Sequence, residues 1–152
     1  MTTLDLDNIE LGRTITADDV VDALSFFDDW EQRYEYIIDL GRQLPAFPEE
    51  MKDDARIVRG CQSQVWLETG FDDASGELRL AVDSDALIVR GLAAIVLAAL
   101  NRKPPQAVVA YDMEGYFDSI DLLKHLSPTR GNGVRAMVKR IQDEARRRAS
   151  AA

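Results

Sequence analysis

The sequence predicts an α+β fold: a small antiparallel sheet with helices packed on one face. Three observations carry this expectation. Residues 64–68 and 77–82 alternate apolar and polar side chains on either side of a turn containing Gly76. Residues 86–102 form a segment too apolar for a surface helix. Elsewhere apolar residues recur at helical spacing. The chain has 152 residues, enough for a core without covalent staples.

Residues 1–15 show no sustained period and carry several aspartates, so they are expected to be a flexible N-terminal arm. Residues 16–152 are expected to form a single domain. Thr16 and Asp19 have the spacing of a capping box, after which Val20, Leu24 and Phe27 share a helical face. Asp28 or Asp29 caps a second helix, with Trp30, Tyr34, Ile37, Ile38 and Gly41 on one side. That spacing marks its aromatics as core rather than site. Leu44-Pro45 and Phe47-Pro48 end it. Residues 49–59 read as a charged, solvated connector.

In the first strand Val65 and Leu67 point one way and Gln64, Trp66 and Glu68 the other. In the second, Leu78, Leu80 and Val82 point inward. A lone hairpin is rarely stable in water, so a third strand is expected from elsewhere. Asp83, Ser84 and Asp85 read as the cap of the central buried helix. Gly91, in its middle, implies a close neighbour on that side. Pro104-Pro105 stops the helix. Residues 106–126 read as short helical pieces. Residues 127–133 read as a polar loop in which either Ser127 or Asn132 caps the last helix. Val134, Met137, Val138, Ile141 and Ala145 line one face of that helix.

Composition excludes several classes. Net charge is −9, from 18 basic and 27 acidic side chains, which argues against nonspecific nucleic-acid binding. A single cysteine rules out an internal disulfide, a Cys-x-x-Cys pair and an all-thiolate metal site within one chain. The N-terminus has no basic and apolar leader pattern. The longest apolar run, residues 92–100, is far short of the roughly 20 residues of a membrane span. A soluble, cytoplasmic chain is expected, with no membrane partner.

The cysteine, Cys61, follows Arg59-Gly60 at a loop–strand junction. A thiol there can be presented to a partner, and positive charge from Arg59 and Arg56 would favour the reactive thiolate. The plainer reading is a small buried hydrophobe. His125 is the one histidine. It reads as a helix-end residue, with a Cys61–His125 nucleophile pair as a minor alternative. There is no phosphate loop, no Gly-x-Ser-x-Gly and no His-x-x-x-His.

Four stretches in order resemble one family. They are Trp30 to Tyr34 with Ile37 to Gly41 and Leu44-Pro45; Val58-Arg59-Gly60-Cys61-Gln62-Ser63-Gln64-Val65-Trp66; Asp83 to Ala86 with Ile88 to Leu92; and His125 to Arg130 with Gly133 and Ala136-Met137. The family is the SufE-type (also CsdE-type) sulfur acceptors of iron–sulfur cluster assembly. The resemblance implies one SufE-like domain over residues 16–152, with a fold similar to the IscU-type scaffold. It implies that Cys61 accepts persulfide sulfur from a pyridoxal-phosphate cysteine desulfurase of the SufS or CsdA type, and stimulates that enzyme. The recipient would be a cluster scaffold complex of the SufBCD type. Arg130 falls on the family's loop arginine. Arg59, Gly60, Gln62 and Asp85 are the other candidate loop or partner-contact residues. No metal or cofactor of its own is expected, since the pyridoxal phosphate belongs to the partner. The chain would be a monomer or a small homodimer.

Three other readings compete: an allosteric activator of a desulfurase without covalent transfer, a thiol enzyme or redox sensor, and a cluster scaffold. The missing resolving cysteine weighs against the redox sensor.

Overall fold

The computed structural model describes residues 4–151. Helix α1 (Ala17–Phe26) begins on the expected capping box, with both reciprocal bonds between Thr16 and Asp19 formed. It buries Val20 and Leu24. Helix α2 (Trp30–Gly41) is capped by Asp29, whose carboxylate accepts from Gln32 N at 2.9 Å. Strands β1 (Val65–Asp72) and β2 (Glu77–Ser84) form an antiparallel hairpin in the register Val65↔Ser84 to Asp72↔Glu77. Its turn is closed by Asp72, which accepts from Ala74 N and Ser75 Oγ, and by Gly76 at φ +73°.

Helix α3 (Leu87–Leu100) is buried from Gly91 to its end and packs on α1, α2 and β2. Short helices α4 (Pro105–Ala110) and α5 (Met113–Ser119) follow, and then the long α6 (Pro128–Ala151). Helices and a small antiparallel sheet make this an α+β fold.

The sheet has two strands, and no third strand joins it among the described residues. Short segments cover its edges instead. Val58 N donates to Val65 O at 2.8 Å and Leu67 N to Arg56 O at 2.9 Å, along the outer edge of β1. Along β2, Leu78 exchanges two bonds with Lys103 O and Arg102 N, and Leu80 N donates to the Asn101 side chain at 2.8 Å. These bonds satisfy edge groups that would otherwise template foreign strands.

The second face of the sheet is covered as well. Trp66, on the face opposite Val65 and Leu67, is 7% exposed, and the Lys52 ammonium sits 5.3 Å from its ring centroid. Arg79 on the same face pairs with Asp7, Asp72 and Glu77. Residues 4–15 are therefore not a loose arm. Ile9 and Leu11 are 1% and 0% exposed, and the buried Asn101 donates to Leu11 O at 2.9 Å. Isolated apolar residues with no period conceal such docking from a sequence reading. The first three residues of the expected arm lie outside the described residues.

The close neighbour expected at Gly91 is α2. A Cβ on Gly91 would lie 2.3 Å from Ile37 O, and one on Gly41 would lie 2.5 Å from Gly91 N. The two helices meet backbone to backbone. Gly91→Ala is expected to destabilise the fold by about 2 kcal/mol, overpacking outweighing the roughly 1 kcal/mol of helix propensity gained. Denaturant unfolding with an unchanged m-value would show it.

Asp83, Ser84 and Asp85 do not cap α3; Ala86 occupies that position without a side-chain bond. All three fasten loops instead. Asp83 accepts from Phe47 N at 2.9 Å and pairs with Arg90 at 3.5 Å. The expected polar loop 127–133 is the start of α6, capped by Ser127, whose Oγ accepts from Arg130 N at 3.2 Å. Pro128 takes the first helical position, where its missing N–H costs nothing.

Candidate functional site

Cys61 sits in the loop between Val58 and Val65, and both ends of that loop are tied down. At the near end, Arg140 of α6 donates to Ala55 O at 2.9 Å and to Ile57 O at 3.0 Å. At the far end, Gln64 N donates to Asp85 Oδ1 at 3.1 Å and Ser84 Oγ donates to Gln64 O at 2.7 Å. Between the anchors, Gly60 has φ +92°, a conformation that other residues rarely adopt. A rigid frame thus carries a short segment with one permissive joint.

The thiol is half-buried and points at α6, where Sγ lies 3.5 Å from Gly133 O. Beneath it is a cavity of about 30 Å³. Val89 and Leu92 of α3 and Val134 and Met137 of α6 form its walls, and Gln62, Ser63 and Arg130 complete the lining. That volume has room for a group about the size of a water molecule beside the sulfur.

Burial pushes the Cys61 thiol above its ordinary value. Donation to a carbonyl also favours the neutral form. Arg56, expected to favour the thiolate, is committed instead to Asp53 and Glu68, and the shift of Cys61 comes from its burial. In this conformation Cys61 is a sheltered thiol rather than an activated thiolate. The rate of its alkylation is therefore expected to rise at a higher pH than in the denatured chain. The thiolate is the reacting form, and burial postpones it. A pH series of alkylation rates with and without denaturant measures the displacement.

Of the candidate residues, Cys61, Gln62 and Arg130 meet at the cavity. Gly60 supplies the joint. Arg59 is exposed beside it and lines no part of the cavity. Asp85 is exposed and acts here as the anchor of Gln64. His125 does not line the cavity, which removes the Cys61–His125 pair from this conformation. Its ring stacks on Trp30, with centroids 4.0 Å apart and planes at 25°. Sequence reasoning did not single out Arg140 and read Ser84 only as part of a helix cap; both roles depend on backbone carbonyls that leave no mark in a sequence. Val134 and Met137 were legible only as core positions.

The site is thus built around one half-buried thiol, on a loop framed by a hairpin and a long helix, with a small cavity beside the sulfur. Residues 18–145 match the family model described as SufE, the Fe–S metabolism associated domain. An uncharacterized SufE-like protein of Rhizobium etli is 47% identical over 136 residues, covering 88% of this chain and 92% of that protein. Another from Rhizobium meliloti is 45% identical over 130 residues, covering 84% and 93%. The solution structure of a hypothetical protein from Thermus thermophilus has the same fold, with TM-score 0.71 at 19% identity, covering 88% of this chain and 96% of that one. The chain belongs to the SufE family, and its role lies in iron–sulfur metabolism. No helix among the described residues is long and apolar enough to cross a membrane.

Proposed function

We propose that this chain is a cytoplasmic sulfur acceptor. It takes persulfide sulfur from a pyridoxal-phosphate cysteine desulfurase onto Cys61 and delivers it to a cluster scaffold complex. The observation that carries the reading is the pairing of the one thiol with a small cavity beside its sulfur, with room for a further small group. Family membership supplies the metabolic setting.

The chemistry is that of thiol–disulfide exchange. The Cys61 thiolate attacks the outer sulfur of the donor's persulfide. A bond forms between Cys61 Sγ and that sulfur, the donor's S–S bond breaks, and the donor cysteine leaves as thiolate. The Cys61 proton is released to solvent as the thiolate forms and one is returned to the donor, so no oxidant or reductant is consumed. With no second cysteine in the chain, the product cannot collapse into an internal disulfide.

The sheltered thiol implies two positions. At rest Cys61 is tucked against Val89, Leu92, Val134 and Met137, where its half-burial slows the approach of cytosolic thiols. At the donor it swings out about Gly60, regains water and ionises. Arg130 is exposed at the cavity edge, and in this reading it contacts the donor. The test is intact-protein mass after incubation with a desulfurase and cysteine under low reductant. A gain of one sulfur atom supports the reading. No gain with turnover still raised favours an allosteric activator.

A further inference from the structure

The first turns of α6 form the wall over Cys61, yet they are poor helix. Thr129, Gly131, Asn132 and Gly133 all fall within residues 128–133, and each is a weaker helix former than alanine, glycine most of all. Contacts from outside the helix must hold them. Two such contacts are local: the Ser127 cap, and the approach of Cys61 Sγ to Gly133 O.

The third comes from α2. Just before the cap, the chain makes a single helical turn, Leu123–His125. Tyr34 Oη donates to the carbonyl of His125 at 2.7 Å, and the His125 ring stacks on Trp30 at 4.0 Å. Trp30 and Tyr34 are one helical turn apart and so share a face of α2. The grip is firm because α2 is itself locked against α3 at the Gly41–Gly91 crossing. Only Leu126 and Ser127 separate the gripped residue from α6.

We propose that Tyr34 and Trp30 are positioning residues for the Cys61 chemistry. They hold the turn Leu123–His125, and through it the first turns of α6, closed over the thiol. Loosening them opens the wall rather than swinging the Cys61 loop. The inference rests on the acceptor reading only in taking Cys61 as the reacting atom.

The test is the rate at which iodoacetamide alkylates Cys61 in the full chain under native conditions, read by intact mass. Tyr34→Phe removes one hydroxyl and is expected to speed the reaction about 5-fold, the factor set by one net hydrogen bond. Trp30→Leu moves the same way, and Trp30→Phe restores most of the native rate. Gly131→Ala has the opposite sign. Its methyl would meet only Leu123 Cδ2, at 4.0 Å, and the stiffened turn is expected to slow alkylation about 5-fold. Ile9→Val, a comparable loss of stability outside the clamp, leaves the rate unchanged.

A native alkylation rate in Tyr34→Phe, or an equal acceleration in Ile9→Val, overturns the clamp. Sulfur uptake from a desulfurase keeps the two readings apart. Native uptake with unchanged alkylation in Tyr34→Phe removes the clamp and leaves the acceptor. Faster alkylation in Tyr34→Phe, with no uptake by the native chain, keeps the clamp and removes the acceptor.

Discussion

A Cys61→Ser protein incubated with a cysteine desulfurase and cysteine is expected to gain no sulfur atom where the native chain gains one. The loss is complete rather than partial. A serine hydroxyl is not ionised near neutral pH, and the cavity lining holds no carboxylate or imidazole to act as its base. The fold is expected to survive, because a hydroxyl donates to Gly133 O at least as well as a thiol does. Unfolding should shift by no more than about 1 kcal/mol. An inactive but folded protein is what makes the experiment decisive. Stimulation of the desulfurase is expected to fall to the basal rate. Full stimulation by Cys61→Ser would assign this chain to allosteric activation instead.

Asp83→Ala is expected to be the most destabilising of the single substitutions considered, by about 3 kcal/mol in denaturant unfolding. Asp83 is 3% exposed and holds three partners: Phe47 N at 2.9 Å, Ser84 N at 2.8 Å and the Arg90 guanidinium at 3.5 Å. Its removal takes this acceptor from two buried amides and leaves a half-buried arginine without its counterion. Arg90 keeps one bond, from Nη2 to Leu44 O at 2.6 Å, so the cost stays below that of a wholly orphaned charge. In the double variant Asp83→Ala/Arg90→Met the unpaired charge is gone. Part of the loss is expected to be recovered, and a double-mutant cycle would measure how much. A cost of Asp83→Ala under 1 kcal/mol would mean that the pair is better hydrated than its burial implies.

What could be read from the sequence was whatever repeats or punctuates locally. The hairpin followed from alternation, α3 from its apolar run, α1 from the Thr16/Asp19 spacing, and the Gly91 crossing from a glycine placed where helices avoid one. Cys61 stood out because it is alone. The errors fall where tertiary contacts override local chemistry. Gly131, Asn132 and Gly133 look like a loop, yet they are helical because α2, Ser127 and Cys61 hold them there. Asp83 and Asp85 look like caps, yet each accepts a backbone amide from a different segment. Arg56 looks like a field on the thiol, yet two carboxylates claim it. Residues 4–15 show no period because apart from one short turn, Leu6–Asn8, they run as irregular chain, burying Ile9 and Leu11 one side chain at a time.

The statistical unit and the physical unit of this protein begin at different places. The family match starts at residue 18, whereas the sealed interior starts at Ile9. A fragment cut at the homology boundary would keep every residue of the recognisable motifs. It would also bare the underside of the hairpin and leave the Asn101 amide group facing no carbonyl. Swapping the head of one relative onto the body of another would demand matching shapes at Gly12, where an added Cβ would lie 2.5 Å from Asn101 O. In this chain the docked segment is thus a seam that its motif residues alone do not mark.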